Sequence, residues 1–369
     1  MISEVRRALD NFERKVPQKV PGCVTDEELK AMLQQSNAKI KVIGTGGSGN
    51  NTLRRIFEIG IKDVETIAVN TDAQHLLITP ADKKVLIGKQ LTRGLGAGAN
   101  PELGEAAARE NIDDISNVIG DSNLVFIACG LGGGTGTGSA PIIAQTAKEK
   151  GALTIAVVTL PFSSEGKRRM NNALEGLKNL KKASDAVIVV PNDKLLELVP
   201  ELPLNAAFKV ADEILANAVK GITELITKPG LVNLDFADIK AILSNSGTVM
   251  IGLGESSSES SETRALEAIE EAINSPLLDV DISNADKALI NVVGGPDMTL
   301  KEAELICEAV ASKINDKANI IWGALVDEEL PRNTIHTMVL IAGGKIPYLE
   351  PLENGIDLDV VGEIDAKNG

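Results

Sequence analysis

The chain has 369 residues, of which 43% are hydrophobic and 24% charged, a balance typical of a globular protein of two or three domains with a sizeable core. The net charge of −15 argues against a nucleic-acid-binding protein and against one that binds an anionic membrane surface. Three cysteines at unrelated positions indicate reduced thiols in a cytoplasmic protein, and two histidines argue against a histidine metal site or a Ser-His-Asp triad. No apolar run reaches the ~18 residues of a membrane-spanning helix, and the charged first residues do not resemble a signal peptide.

The first part of the chain is predicted to be a charged extension followed by alternating strands and helices. Residues 1–37 are predicted to form an N-terminal helical extension, and residues 38–203 a folded domain. Pro101 is expected to begin one helix over 101–119. Strands are predicted at 39–44, 65–71, 83–88, 124–130, 153–161 and 186–192. Continuously apolar strands that alternate with helices are typical of a doubly wound parallel sheet, an α/β fold.

The second part of the chain predicts a long helix and a smaller domain. Apolar residues recur every three or four positions over 204–228, which predicts a central helix that would span about 35 Å and join two domains. Residues 229–350 predict a smaller α+β domain. Its last two strands, at 319–329 and 334–344, are separated only by Leu-Pro-Arg-Asn, so we expect them to pair antiparallel. The acidic residues 351–369 are predicted to be a disordered tail.

Three glycine-rich loops each lie between a predicted strand and a predicted helix. They are GTGGSGNN at 44–51, GLGAGANPE at 94–102 and GGGTGTG at 132–138. Backbone without side chains can approach a phosphate and direct N–H groups at it, and the N-terminus of a helix favours an anion. The three loops together therefore predict one extended polyphosphate that is held from several sides.

The first loop alone leaves other interpretations open. It satisfies the G-x-G-x-x-G pattern of dinucleotide-binding oxidoreductases, and it could also be a tight turn without a ligand. The oxidoreductase pattern fits imperfectly, because the second strand ends in Asn70 where such enzymes usually have an acid. A Walker A loop is excluded, because no Lys-Ser or Lys-Thr pair closes the glycines.

The GGGTGTG loop resembles the signature of the tubulin/FtsZ family. The resemblance extends in order through GTGGSGNN, NTDAQ at 70–74, GLGAGANPE, PFSSEGKRR at 161–169, PNDKLL at 191–196 and NLDFADI at 233–239. The motifs and the chain length are closer to FtsZ than to tubulin. FtsZ proteins commonly end in a linker and a short partner-binding peptide, whereas the acidic ENGIDLDVVGEIDAKNG with no obvious peptide of that kind follows here.

The resemblance implies a protein that binds GTP or GDP together with Mg²⁺, which would be held mainly by phosphate oxygens and water. Phe208 would stack on guanine while Asp212 accepts hydrogen bonds from its edge, and Glu165 and Arg169 would lie on the ribose and phosphate side. Judged from the residues alone, Phe208 could instead pack in the core and Asp212 could face solvent. The implied nucleotide-binding residues are Gly46, Gly47, Ser48, Gly49, Asn50, Asn51, Asn70, Asp72, Ala97, Gly98, Ala99, Gly132, Gly133, Gly134, Thr135, Gly136, Thr137, Glu165, Arg169, Asn192, Phe208 and Asp212.

The resemblance also implies that Asn233, Asp235 and Asp238 are catalytic and act on the GTP of the neighbouring subunit. They follow the central helix, so they are expected to lie roughly 35 Å from the nucleotide of their own subunit. Head-to-tail contact would bring a carboxylate to the γ-phosphate, where it can orient or deprotonate water. Such a contact does not close and builds a filament. Judged from the residues alone, Asp235 could instead be a helix N-cap.

The expected function is therefore a self-assembling GTPase of cell division, located in the cytoplasm at the mid-cell septum. Its expected partners are further copies of itself, a membrane-tethering protein and ring-regulating proteins, with no nucleic acid and no direct membrane insertion. The alternatives are a tubulin-like filament for cell shape or DNA positioning, a Rossmann-type oxidoreductase and a relative that does not hydrolyse GTP. The threonine-rich GGGTGTG loop argues against the oxidoreductase, and Asp235 and Asp238 argue against the relative without hydrolysis.

Overall fold

A computed structural model describes residues 38–198, 203–278 and 281–343. The described residues belong to one compact unit that begins at Ala38. The predicted N-terminal extension and the predicted acidic tail lie outside the described residues.

One ten-stranded sheet runs through the described part of the chain. Its strands are β1 (Ile40–Thr45), β2 (Val64–Asn70), β3 (Lys83–Leu86), β4 (Leu124–Gly130), β5 (Leu153–Leu160), β6 (Ala186–Pro191), β7 (Gly247–Ser256), β8 (Lys287–Gly294), β9 (Asn319–Val326) and β10 (Ile335–Ala342). They lie side by side in the order β3-β2-β1-β4-β5-β6-β7-β10-β8-β9. All neighbours from β3 to β7 are parallel. The predicted α/β fold with a doubly wound parallel sheet is confirmed.

Eleven helices cover the two faces of the sheet in the residues that the structure describes. They are α1 (Gly46–Ile59), α2 (Ala73–Ile78), α3 (Pro101–Glu110), α4 (Ile112–Ile119), α5 (Thr135–Glu149), α6 (Lys167–Ala183), α7 (Asn192–Leu198), α8 (Leu204–Thr227), α9 (Phe236–Leu243), α10 (Ser261–Ile273) and α11 (Leu300–Ala311). Apolar side chains of α3, α4, α5, α6, α10 and α11 form the core on one face. Those of α1, α7, α8 and α9 form the core on the other. Because β4, β5 and β6 lie between these two cores, nearly all of their residues are buried.

The expectation of one helix over 101–119 was wrong, because the chain breaks at Asn111 between α3 and α4. The Asn111 backbone leaves the helical region, with φ −113° and ψ 32°. Its side-chain oxygen accepts a hydrogen bond from the backbone N–H of Gly88 at 2.9 Å, and its amide nitrogen donates to Asp114 at 2.9 Å. Bonds to a distant loop of this kind compete with helix geometry, and they cannot be read from local periodicity.

The expected antiparallel pairing of the last two strands was also wrong. β10 lies between β7 and β8 and is antiparallel to both, while β9 pairs parallel with the far side of β8. Burial explains the order: every residue of β10 except His336 is buried, as a central position requires, whereas only three residues of β9 are. The sheet therefore ends at β9, and α11 makes the crossover from β8 to β9.

The long helix α8 lies against α1 and the sheet. Its 24 residues correspond to about 36 Å. Pairing of β6 with β7 carries the sheet past this helix into the C-terminal part, so both parts share one sheet. The division into domains at 38–203, 204–228 and 229–350 stays a prediction.

Candidate functional site

A pocket of about 420 Å³ opens at the carboxyl ends of the parallel strands. This edge is where open parallel sheets usually bind ligands. Residues that follow β1, β3, β4, β5 and β6 form its walls, and α8 closes one side. Many of the predicted nucleotide-binding residues line it, namely Gly46, Gly47, Ser48, Asn51, Gly98, Gly133, Gly134, Thr135, Gly136, Glu165, Arg169, Asn192, Phe208 and Asp212.

Two helix N-termini point into the pocket without the groups that usually cap them. α1 begins at Gly46 directly after β1, and α5 begins at Thr135 shortly after β4. Neither helix has a side-chain cap or an acid in its first turn. The backbone N–H groups of a first turn have no partner inside the helix and favour an anion. The pocket therefore has the electrostatics of a phosphate site.

Glycine is required in these loops for two different reasons. Gly46 has φ +73°, and a Cβ there would lie 2.8 Å from the backbone nitrogen of Gly136, so the two loops could not approach as they do. Gly47 and Gly133 have ordinary φ angles, and a Cβ at either would meet no atom within 4 Å. Among the glycines in the described residues, these two alone combine an ordinary φ with open surroundings. The fold itself does not require glycine there, but a ligand against the bare backbone would.

The other end of the pocket combines an aromatic ring with buried polar atoms. Phe208 is 39% exposed, and its ring meets that of Phe162 edge to face with centroids 5.2 Å apart. Asn192 is buried, and its Oδ1 has no hydrogen-bond partner in the described structure. Burial raises the pKa of the Asp212 carboxyl to about 7, although a hydrogen bond from Thr52 and the charge of Arg54 lower it. An exposed ring beside an unpartnered amide oxygen and a buried carboxyl fits a planar, hydrogen-bonding base.

A third wall carries the pair Glu165 and Arg169. Nη1 of Arg169 lies 2.9 Å from Oε2 of Glu165, and Oε1 of Glu165 accepts the backbone N–H of Phe162 at 2.8 Å. Both carboxylate oxygens of Glu165 therefore have partners. The pair places one fixed cation beside the phosphate loops.

Four of the predicted binding residues near β1 and β2 lie outside the pocket wall. A Cβ on Gly49 would lie 2.2 Å from the carbonyl oxygen of Ala128, so this glycine allows α1 to pack on β4. Asn50 is buried, with its Nδ2 3.5 Å from His75 Nδ1. Asp72 caps α2, because its side chain accepts hydrogen bonds from the backbone N–H groups of Gln74 and His75. The side-chain oxygen of Asn70 accepts a hydrogen bond from the backbone N–H of Asp72. The proposed contacts of these four residues with a nucleotide stay predictions.

The other four predicted residues outside the wall hold the glycine loops in shape. Thr137 Oγ1 accepts the backbone N–H of Gly132 at 2.9 Å. The carbonyl of Ala97 lies against Gly134, and that of Ala99 accepts a hydrogen bond from Asn172 at 3.3 Å. These residues position the loops, and their direct contact with a ligand stays a prediction.

Sequence reasoning missed several residues of the wall. They are Gly130, Leu131, Thr159, Pro161 and Ala211. Four of them stand at or just after the carboxyl ends of β4 and β5, a position that is itself a signal for ligand contact. Ala211 lies three positions after Phe208, on the same face of α8.

The loop that carries Asn233, Asp235 and Asp238 is not part of this pocket. Asp235 is the N-cap of α9, as the alternative interpretation expected. Asp235 Oδ1 accepts the backbone N–H of Asp238 at 2.9 Å, and Asp238 Oδ2 accepts that of Asp235 at 3.0 Å. The second oxygen of each carboxylate takes no part in this capping box. From Asp212 to Thr227, where α8 ends, the helix rises about 22 Å, so the loop follows the end of α8 that lies away from the pocket.

Comparison with known proteins gives the family context. Residues 39–200 match the model of the Tubulin/FtsZ family GTPase domain, and residues 247–345 match that of the FtsZ family C-terminal domain. The cell division protein FtsZ of Methanothermobacter thermautotrophicus is 59% identical over 88% of this chain and 84% of its own length. The cell division protein FtsZ 1 of Pyrococcus furiosus is 54% identical over 96% of this chain and 94% of its own length.

Solved structures agree in fold. An empty FtsZ dimer of M. jannaschii superimposes with a TM-score of 0.82 at 57% identity, covering 88% of this chain and 93% of that one. CetZ2 from Haloferax volcanii shares the fold at 23% identity, with a TM-score of 0.74 over 89% of this chain and all of its own. Among the helices of the described residues, none combines the length and hydropathy of a membrane span.

Proposed function

Since this chain belongs to the FtsZ branch of the tubulin/FtsZ family, we propose that it polymerises head to tail and hydrolyses GTP where two subunits meet. Its GTPase domain binds guanine nucleotide, and the FtsZ dimer of M. jannaschii, at 57% identity, supports self-association. The cellular role is cell division, as in the named relatives. A tubulin-like filament for cell shape or DNA positioning would have the same chemistry, and localisation and the phenotype of a deletion are the observations that separate it from a division filament.

The bare backbone of the pocket carries the proposal. Gly47 and Gly133 face open space, beside the uncapped N-termini of α1 and α5. In the proposed complex the N–H groups of both loops surround the phosphates, with Arg169 supplying a positive charge. Such backbone cradles bind polyphosphate without a Walker lysine.

The opposite end of the pocket would select guanine. Guanine presents N1–H and N2–H₂ on one edge, and the two oxygens of an ionised Asp212 can accept both. Phe208 would stack on the ring, and the unpartnered Oδ1 of Asn192 would accept a further hydrogen bond. Adenine presents an acceptor where guanine has N1–H, so it would leave the carboxylate opposed by a lone pair.

The catalytic loop would act across the subunit contact. Asp235 and Asp238 follow the far end of α8, and each keeps one oxygen outside the capping box. Among the described residues, Glu165 and Asp212 are the carboxylates that line the pocket, and neither belongs to this loop. A shared site would bring Asp235 and Asp238 to the pocket from a neighbouring subunit. In the proposed filament, Asp235 and Asp238 of one subunit orient or deprotonate the water that attacks the γ-phosphate held by the next.

Exposed apolar side chains support the same contact. Leu95 is 85% exposed and Leu77 is 77% exposed, close in sequence to Gly98 and Asp72 near the phosphate loops. Leu231, which is 52% exposed, precedes the catalytic loop. Head-to-tail stacking would bury these side chains, with a gain of about 25 cal/mol for each Å² removed from water.

The remaining components of the proposal are Mg²⁺, a location and accessory partners. Both oxygens of Glu165 are already bonded, and no group of three metal-binding side chains occurs among the described residues. Mg²⁺ would take its ligands mainly from the phosphates and water, as that ion prefers. The filament would lie in the cytoplasm at the mid-cell division site and would require a membrane-tethering protein and ring-regulating proteins.

GTP turnover measured against protein concentration, with pelleting of the polymer, tests the shared site. Turnover per molecule should be near zero below a critical concentration and should rise as polymer appears. Turnover that is proportional to concentration from the most dilute samples onward would refute catalysis by a neighbouring subunit.

A further inference from the structure

A buried threonine lies directly behind the carboxyl that faces the candidate base pocket. Thr52 on α1 is fully buried and is not part of the pocket wall. Its Oγ1 lies 3.2 Å from Oδ1 of Asp212 on α8, and 3.2 Å from the carbonyl oxygen of Ser48. A hydroxyl has one hydrogen, so it donates to one of these two acceptors at a time.

From this geometry we propose that Thr52 is a positioning residue for guanine recognition, whose hydroxyl holds the Asp212 carboxylate in the orientation and charge state that the base requires. The proposal rests on the proposed function, in which Asp212 reads guanine. Thr52 acts only through Asp212 and touches neither base nor phosphate.

The hydroxyl can serve both protonation states of Asp212. When the carboxyl is protonated, its own O–H donates to Thr52 Oγ1, and Thr52 donates to the Ser48 carbonyl. When the proton leaves for solvent, the Thr52 hydrogen turns to Asp212 Oδ1, and the carboxylate keeps lone pairs for guanine N1–H and N2–H₂. A hydrogen bond to an ionised group is stronger than one to a neutral group, so Thr52 favours the ionised form that binds guanine.

The surroundings of Asp212 make this single hydrogen bond important. Burial raises the pKa of Asp212 to about 7, and Thr52 and Arg54 oppose the rise. Across the pocket stand Glu165 and Arg169, whose charges are paired with each other. The elements packed on α8 and α8 itself carry these other charged groups: Arg55 and Glu58 on α1, Asp193, Lys194 and Glu197 on α7, Lys287 on β8, and Lys209, Glu213, Lys220 and Glu224 on α8.

A second contact holds the two helices together independently of Thr52. Arg55 Nη2 donates to Glu213 Oε1 at 2.8 Å. Arg55 lies one turn after Thr52 on α1, and Glu213 lies one residue after Asp212 on α8. Apolar side chains of α1 and α8 also share one core. Loss of the Thr52 hydroxyl therefore leaves the helix contact in place and removes only its hydrogen bonds to Asp212 and to the Ser48 carbonyl.

The test is GDP affinity of the full chain from about pH 5.5 to about pH 9, measured for wild type, Thr52→Val, Thr52→Ser and Asp212→Asn. Thr223→Val is the matched control, because Thr223 is a buried threonine of α8 whose hydroxyl has no partner in the described structure. Thr52→Val should weaken GDP binding about tenfold at neutral pH and move the midpoint of the affinity profile up by about one pH unit. Thr52→Ser and Thr223→Val should follow wild type.

A second measurement separates positioning from folding. Titration of the Asp212 carboxyl by carbon-13 NMR in nucleotide-free protein should show the same upward shift of its pKa in Thr52→Val and none in Thr223→Val. An unchanged carboxyl titration and an unchanged affinity profile in Thr52→Val would overturn the inference. If Asp212→Asn at the same time loses its preference for GDP over ADP, the proposed function still stands. Equal affinity of wild type for GDP and ADP would overturn the guanine-reading function itself and the inference with it.

Discussion

Replacing Asp212 by asparagine should stabilise the nucleotide-free protein and at the same time weaken GTP binding. The Asp212 carboxyl has a pKa of about 7 in the folded protein against an ordinary value of 3.8, because it is buried. In the unfolded chain it ionises near its ordinary pKa. Between these two values the folded state holds a proton that the unfolded state has released, so this group lowers the free energy of unfolding as the pH rises.

The magnitude follows from the size of the shift. Each pKa unit corresponds to about 1.36 kcal/mol, so about three units give at most ~4 kcal/mol above pH 7 and nothing below about pH 4. Asparagine cannot ionise, and its Oδ1 still accepts from Thr52, so Asp212→Asn avoids this cost. The stability advantage of the variant should grow by about 2–3 kcal/mol between about pH 5 and about pH 8.

Urea unfolding of nucleotide-free protein, followed by circular dichroism at both pH values, measures the advantage. Glu213→Gln is the control, because it removes a charge from the next residue of α8, whose side chain is 45% exposed. The control should show no comparable growth with pH. An advantage of Asp212→Asn that does not change with pH, or a variant less stable than wild type at pH 8, would refute the reasoning. GTP binding should move in the opposite direction, with a loss on the order of 1–3 kcal/mol.

Further predictions concern the phosphate loops and the catalytic loop. Gly133→Ala should melt like wild type but bind GTP at least tenfold more weakly, because its methyl group enters open space that the nucleotide would occupy. Gly134→Ala, whose Cβ would lie 2.4 Å from a carbonyl oxygen, should instead lower the melting temperature. A normal GTP affinity in Gly133→Ala would contradict this placement of the phosphates. Asp238→Asn keeps an oxygen for the capping box, so it should bind GTP normally and form filaments that persist because turnover is lost. Weak GTP binding by monomeric Asp238→Asn would place this residue in the pocket of its own subunit.

The features that depended on local sequence were predicted well, and those that depended on distant contacts were not. Glycine between an apolar strand and a helix is a local signal, and Gly47 and Gly133 do line the pocket, while their contact with a nucleotide stays a prediction. The break at Asn111 depends on a hydrogen bond to Gly88, 23 residues away. Nothing in the sequence around Thr52 indicates a role, because its partner Asp212 lies 160 residues later in the chain. Local patterns carry no information about such pairs.

The position of β10 has a consequence for the order in which the chain can fold during synthesis. Among the described strands β10 comes last in sequence, yet it lies between β7 and β8, which leave the ribosome well before it. Until residues 335–342 are available, β7 and β8 each present an unpaired edge, and such edges attract other strands. The pairs between β7 and β10 join residues that are 79 positions apart at Ile335 and Ser256 and 93 apart at Ala342 and Val249, and contacts of this span form slowly. The C-terminal part of the sheet therefore cannot close before residues 335–342 have left the ribosome, and a ribosome that stalls before β10 holds a nascent chain with two open edges.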